Sequence, residues 1–537
     1  MKQGTGLPVF PGIAVGTALV YRKSRRTMPA SSGDPLLEQA KFDAAREDAR
    51  VQLARLYERA KTELGISQAA IVEVQMLLLD DPDYLESAAA AIAGGASAAA
   101  AALDTGEEFA QAFAAMGDVY MSARSADIRD MSRRIYDILC GDTGFSIPEG
   151  NFLLVAEDLA PSETIQLPAE RVQAIVLRKG SPSSHTAILA GTMNIPMLVQ
   201  SDISLEDAED CAVLAVNSFT GSWYADPDGE TLALLRAKQE KAAGERAALD
   251  AYRDRPSVTK SGKKVLLGAN IGSPEDAEAA IAAGADGVGL MRSEFLYLGR
   301  DSVPSEDELF ETYRKVAEIM GQRPVVIRTL DIGADKQAPY MNLAQEANPA
   351  LGLRGLRTCL TREELFRPQL RAIYRASAFG NLKIMFPMVS SLWELKAAKA
   401  MCAGARAELE AEGTPTRDIP IGMMIETPAA AILAADFARE SAFLSVGTND
   451  LTQYTLAVDR QNTRLGAFYD PYHPALLALL ERIAKAANAS GIPACICGEL
   501  GADPSMTETF LEMGYTELSM TPGRILEIKK RVCESEV

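Results

Sequence analysis

Eight short apolar runs, most of them closing on polar residues and separated by helical stretches, fill the second half of this 537-residue chain. They are VLLGAN (265–270), GVGLMR (287–292), VVIRTLD (325–331), LKIMFPM (382–388), IGMMIET (421–427), FLSVGTND (443–450), ACICGE (494–499) and ELSMTP (517–522). Strands and helices alternating in this number predict a (β/α)8 barrel over 259–537, because a parallel sheet needs a crossover helix after every strand. Helix starts carry their own signals. Ser273-Pro274-Glu275 reads as an N-cap followed by proline at the first helical position, and Ser305…Glu308 and Thr361…Glu364 read as capping boxes.

The first half is patterned differently. Residues 5–21 and 152–224 read as short strands and mixed segments, whereas 36–140 are helix formers with little proline or glycine punctuation. This predicts an α/β domain built from 1–30 and 141–227, interrupted by a helical insert over 31–140. A helix polar around most of its circumference, 228–258, reads as an exposed connector to the barrel.

Composition narrows the class. A net charge of −19 argues against a nucleic-acid partner, and 47% hydrophobic residues provide for a globular core. The seven cysteines are scattered without a paired CxxC framework, which suits a reducing compartment. The start, MKQGTGLPVFPGIAVG, lacks the unbroken apolar core of a signal peptide, and the run AAAAIAGGASAAAAAL (88–103) is too short to span a bilayer. A cytoplasmic protein without membrane insertion is expected.

In such a barrel the active site lies at the carboxyl ends of the strands, so the closing residues are the ones to read. These are Asn270, Arg292, Arg328 with Asp331, Glu426, Asn449 with Asp450, and Cys497 with Glu499. Glu426 and Asp450 offer the hard oxygen ligands that Mg²⁺ takes from a protein, the rest coming from water and substrate. Arg292, Arg328, Arg354, Lys336 and Arg460 place cations at the same end, suited to phosphate and carboxylate oxygens, although each alone could be a structural ion pair. No GxxxxGK[ST] and no GxGxxG after a strand is present, so a small phosphorylated acid is a better substrate class than a nucleotide.

One more residue stands apart. His185, one of only two histidines, lies in KGSPSSHTAILAG (179–191), between a Gly/Ser-rich turn and an apolar helical stretch. Neutral imidazole attacks phosphorus without a separate base. Alone, such a histidine is read first as a helix cap.

Taken together, GLPVFPGIAVG (6–16), DLAPSETIQL (158–167), GSPSSHTAILA (180–190), GADGVGLMRSEFL (284–296), RTLDIGADK (328–336), NPALGLRGLR (348–357), GMMIETPAA (422–430), SVGTNDLTQYTLAVDRQN (445–462) and CGEL (497–500) resemble the phosphoenolpyruvate–protein phosphotransferase family, enzyme I of the bacterial sugar phosphotransferase system. The resemblance runs nearly end to end. It implies that His185 accepts the phosphoryl group, that Thr164 orients it, and that Arg292, Arg328, Arg354, Asn449, Asp450 and Arg460, with Lys336 nearby, bind phosphoenolpyruvate. By the same resemblance Glu426 and Asp450 hold Mg²⁺, Cys497 protonates enolpyruvate, the phosphocarrier protein HPr is the next acceptor, and the chain forms a homodimer through the barrel.

That reading requires the His185 domain to swing, with the hinge expected in the connector. The helical insert resembles the family's HPr-docking domain, where DDPDYLE (80–86) beside MLLL (76–79) reads either as a mixed acidic and apolar face suited to a carrier or as an ordinary helix end. Two departures from the family are expected to be tolerated: Ser181-Pro182 stand where a second glycine is common before the histidine, and Ala334 follows Gly333 where glycine is common. Pyruvate phosphate dikinase and phosphoenolpyruvate synthase share related parts but need an ATP-binding domain for which this chain has neither length nor motif. A non-catalytic phosphoenolpyruvate sensor or scaffold is the alternative of a different class.

Overall fold

In a computed structural model, residues 1–22, 27–63, 66–115, 119–141, 147, 149–181, 184–193, 195–298, 300, 302–333, 338–344, 346–460 and 462–537 are described. They fall into two compact units, Met1–Glu245 and Arg246–Val537.

Among the described residues the first unit holds nine short strands: β1 (Lys2–Thr5), β2 (Leu7–Phe10), β3 (Ile13–Gly16), β4 (Ala18–Tyr21), β5 (Phe152–Ala156), β6 (Val172–Leu177), β7 (Met197–Val199), β8 (Leu214–Asn217) and β9 (Ser222–Ala225). They make one sheet ordered β2-β7-β6-β5-β4 and another ordered β1-β9-β8-β3. The strand β5 is apolar throughout and β6 is apolar except at Gln173, and both are buried along almost their whole length, as strands covered on both faces must be. Between β4 and β5 the chain forms the helices Pro35–Glu63, Ile66–Leu78, Pro82–Ala93, Ala98–Ala115 and Val119–Leu139. Their apolar core, with Phe42, Leu53, Tyr84 and Ile135, also takes in Ile165 and Leu189 from the α/β part, so the insert packs directly on the helix that begins at His185.

The second unit is a closed barrel of eight parallel strands: β10 (Leu266–Ile271), β11 (Gly287–Arg292), β12 (Pro324–Arg328), β13 (Asn381–Phe386), β14 (Ile421–Ile425), β15 (Leu444–Val446), β16 (Ala494–Ile496) and β17 (Glu517–Met520). Each expected apolar run supplies one strand, and β10 closes on β17 with Gly268 opposite Ser519. Outward strand residues such as Leu267, Ile327, Ile384 and Leu518 build one continuous core with the surrounding helices. A smaller cluster, including Leu290, Val326, Met385, Met424, Cys495 and Cys497, forms separately from it.

Ser273 is the expected N-cap with Pro274 behind it and also forms a capping box with Asp276, and Ser305 forms the expected capping box with Glu308. Thr361 does not. It is the last residue of the helix Leu356–Thr361, its hydroxyl donates back to the Arg357 and Thr358 carbonyls, and the next helix starts from Arg362 without a side-chain cap. The connector forms the helix Gly229–Asp250. No helix among the described residues is long and apolar enough to cross a membrane.

Candidate active site

At the carboxyl end of the barrel, two arginines and four carboxylates are sealed together. Arg328, the last residue of β12, donates to Glu294 (2.5 Å) and pairs with Asp331 (3.1 Å). Arg354 grips Asp331 through Nε and Nη2 (3.0 and 3.1 Å) and Asp450 through Nη1 and Nη2 (3.3 and 3.1 Å). Burial opposes the charge on both guanidinium groups, but the neighbouring acids outweigh it and raise their pKa values. These two cations are therefore ion-paired, the alternative that the sequence pattern left open for each of them. Each is already neutralised by acids that a ligand would have to displace or share.

Glu426 follows β14 directly and is fully buried. One carboxylate oxygen accepts the Met388 backbone N–H at 2.5 Å, while Oε2 has no partner among the described residues. Met388 presents that N–H from a left-handed backbone (φ 58°), a conformation costly for a side chain of its size. Gly447 is required beside it, since a Cβ there would lie 2.9 Å from Glu426 Oε2. Burial, then the charges of Asp450 and Asp331, push the Glu426 carboxyl up to about 8 against Arg328 and Arg354. Arg328 Nε is the matching orphan, a sealed donor without a partner among the described residues.

Asn449 and Asp450 do not close a strand as expected. The strand β15 stops at Val446, Gly447 turns the chain, and both residues stand in the first turn of the helix Thr448–Leu456. Asn449 exchanges hydrogen bonds with Glu499 (3.1 and 3.2 Å), and Arg460 reaches Asp450 at 3.6 Å. Arg292 ends β11, half-buried, and its side chain makes no hydrogen bond among the described residues. Lys336 and Ala334 lie outside the described residues.

Cys497 follows β16, its thiol donating to the Val446 carbonyl at 3.2 Å. Burial chiefly pushes that thiol up to about 11, with Glu426 adding to the rise and Ser445, Arg328 and Arg292 opposing it. It is therefore held protonated at neutral pH, the state a proton donor needs. Glu294 and Met388 belong to this site although the sequence did not single them out. Glu294 stands in the quoted MRSEFL, but Met388 acts through its backbone, which no side-chain pattern reveals.

An Arg354→Met chain would leave Asp331 and Asp450 buried without their shared counterion, at a cost of about 3–5 kcal/mol. Urea unfolding should show this as a lower midpoint with an unchanged slope.

In the other unit, His185 is the first residue of the helix His185–Thr192. The cap is Ser184, whose hydroxyl accepts from the Ala187 N–H at 3.2 Å, so capping does not explain the histidine. The next residue, Thr186, is buried and donates to the Leu159 carbonyl at 2.9 Å, tying the helix start to the 158–165 segment. That segment is fixed to the insert: Asp130 accepts from the Ser162 N–H and hydroxyl (3.1 and 2.7 Å) and from Gln75 (2.8 Å). Thr164 is buried, and its hydroxyl donates to the Ala160 carbonyl at 3.0 Å. The imidazole of His185 and residues Pro182 and Ser183 lie outside what is described, while Gly180 takes φ 94°.

The fold and these two sites define a phosphoenolpyruvate-utilising class. Family models match residues 5–124 as "PEP-utilising enzyme, N-terminal", 148–221 as "PEP-utilising enzyme, mobile domain" and 246–537 as "PEP-utilising enzyme, PEP-binding domain". Among curated proteins, the phosphoenolpyruvate–protein phosphotransferase of Staphylococcus carnosus is 40% identical over 536 residues, covering 99% of this chain and 94% of the relative. Those of Priestia megaterium (39%, covering 99% and 94%) and Geobacillus stearothermophilus (39%, covering 98% and 92%) are as similar. The chain belongs to the phosphoenolpyruvate–protein phosphotransferase family, and it is an enzyme.

Proposed function

We propose that this chain takes the phosphoryl group of phosphoenolpyruvate onto His185, releases pyruvate and passes the group to the histidine of HPr. The observation that carries the reading is the orphaned pair in the barrel mouth, a sealed Arg328 N–H donor and a sealed Glu426 carboxylate oxygen without partners among the described residues. Buried polar groups are otherwise almost always satisfied, so a donor and an acceptor left open together fit an anion bound with a cation.

Glu426, with Asp450, would hold Mg²⁺. The fit is chemical: Oε2 of Glu426 has no partner among the described residues, its other oxygen is fixed by Met388, and Asp450 retains lone pairs beyond those taken by Arg354. The described residues contain no group of three metal-ligating side chains, in keeping with an ion that takes one or two carboxylates and completes its shell with water and phosphate. Bound there, Mg²⁺ would neutralise charge on the phosphoryl oxygens.

The residues of the chain do the rest. Arg292, Arg328, Arg354, Arg460 and Asn449, with Lys336, hold the phosphate and carboxylate in line for attack, which converts an encounter into a positioned reaction. Thr164 orients the His185 ring, and Cys497 gives its proton to the enol. Alternate use of the barrel and the carrier makes the reaction ping-pong, so the α/β domain (1–30 and 141–227) with its HPr-docking insert (31–140) must move on the 228–258 connector relative to the barrel (259–537). We further place the protein in the cytoplasm as a homodimer through the barrel.

Incubation with ³²P-labelled phosphoenolpyruvate and Mg²⁺ tests this directly. Acid-labile label should appear on the chain and move to HPr when the carrier is added. Label that stays in phosphoenolpyruvate would rule the reading out.

A further inference from the structure

The sequence singled out Asn270 as a strand-closing residue, but nothing in the reaction described so far uses it. Its surroundings are built with care. The fully buried hydroxyl of Ser519 donates to Asn270 Oδ1 at 2.6 Å, and Asn270 Nδ2 donates to the Cys497 carbonyl at 3.1 Å. A carbonyl only accepts, so Nδ2 must face Cys497, Oδ1 must face Ser519, and the amide has one permitted orientation. Gly289 on the neighbouring strand makes the room, since a Cβ there would lie 2.4 Å from Ser519 Oγ. On the far side, the Val446 carbonyl accepts both the Cys497 backbone N–H (3.0 Å) and the thiol (3.2 Å). Cys497 is thus held at its carbonyl, its amide and its sulfur.

We infer that Asn270, oriented by Ser519, is a positioning residue that fixes the strand end from which Cys497 delivers its proton to one face of the enol. The inference rests on the reading of Cys497 as the acid. Phosphoryl transfer leaves the enolate, so in that step the S–H bond breaks, a C3–H bond forms from the enolate π pair, C2–O⁻ becomes the ketone carbonyl, and the thiolate regains a proton from water once pyruvate has left. A thiol on a loosely held strand end would still be acidic, but it would reach C3 from a spread of directions, losing both rate and facial selectivity. The plain alternative is that Ser519 and Asn270 only stitch the seam where β10 closes on β17, and such a role would appear in stability.

The test uses the full chain with phosphoenolpyruvate carrying one deuterium at C3, in tritiated water, and reads the chirality of the pyruvate methyl group. Ser519→Ala, which only removes an atom, and Asn270→Asp, which turns an oxygen toward the Cys497 carbonyl, are compared with Cys497→Ala. Both positioning variants should lose methyl chirality in part and slow pyruvate formation roughly tenfold, the worth of one hydrogen bond, with KM for phosphoenolpyruvate unchanged. Native chirality in both variants, or a fall in unfolding midpoint with unchanged kcat, would overturn the inference and leave Cys497 as the acid. Chirality retained by Cys497→Ala would instead overturn the acid assignment, and this inference with it.

Discussion

A His185→Ala chain is expected to take up no acid-labile phosphate from phosphoenolpyruvate while melting at the temperature of the native protein. The two halves of that result come from different atoms. Folding is preserved because the helix is capped by Ser184 and anchored by Thr186, neither of which involves the imidazole, and alanine favours a helix interior. Phosphorylation is lost because no other imidazole can substitute. The second histidine, His473, caps the helix Pro474–Ala489, its Nδ1 accepting from the Ala475 N–H at 3.2 Å. Label on the alanine variant, located by peptide mapping, would remove His185 from the reaction.

Replacing Glu426 by glutamine should lower phosphoryl transfer roughly a thousandfold, the usual scale for a group that stabilises transition-state charge, and yet stabilise the metal-free protein at pH 8. The sign follows from the direction of the shift. In the unfolded chain the carboxyl titrates near its ordinary value of about 4.3, whereas in the fold it is pushed up to about 8. Between those values the native state keeps a proton that the unfolded state has lost. Stability is fully present below the lower value, falls by about 1.4 kcal/mol per pH unit as the pH rises, and is lost once the pH passes the folded value. Glutamine cannot ionise, so thermal melts of Glu426→Gln without metal should flatten over that window. A variant that melts lower than the native chain at pH 8 would contradict this account.

The barrel is legible because each strand is a compact apolar run and most of them close on polar residues, a pattern that survives without knowledge of neighbours. Asn449 and Asp450 were assigned to a strand end because SVGTND continues the apolar run without a strong stop, yet Gly447 turns the chain there and the two residues open a helix. The short strands β1 (KQGT) and β9 (SWYA) carry little periodic signal, and antiparallel pairing between chain segments over two hundred residues apart defines them. Thr361 misled because its spacing to Glu364 fits a capping box although a helix already ends on it. Side-chain chemistry could nominate Arg328, Arg354, Glu426 and Cys497, but it could not say which acids hold the arginines. That depends on the packing of β12 against the loops that carry Glu294 and Asp331.

The grip of Arg354 on both Asp331 and Asp450 sets a rule for whatever enters the mouth. An anion that draws Arg354 toward itself loosens Asp450 and makes that carboxylate a better ligand for a cation, and a cation on Asp450 releases Arg354 toward the anion. Reciprocity then follows from thermodynamics, because each ligand must raise the affinity of the other by the same factor. The mouth is a point of exchange between like-paired ions, in which neither guest is fully welcome until the other arrives.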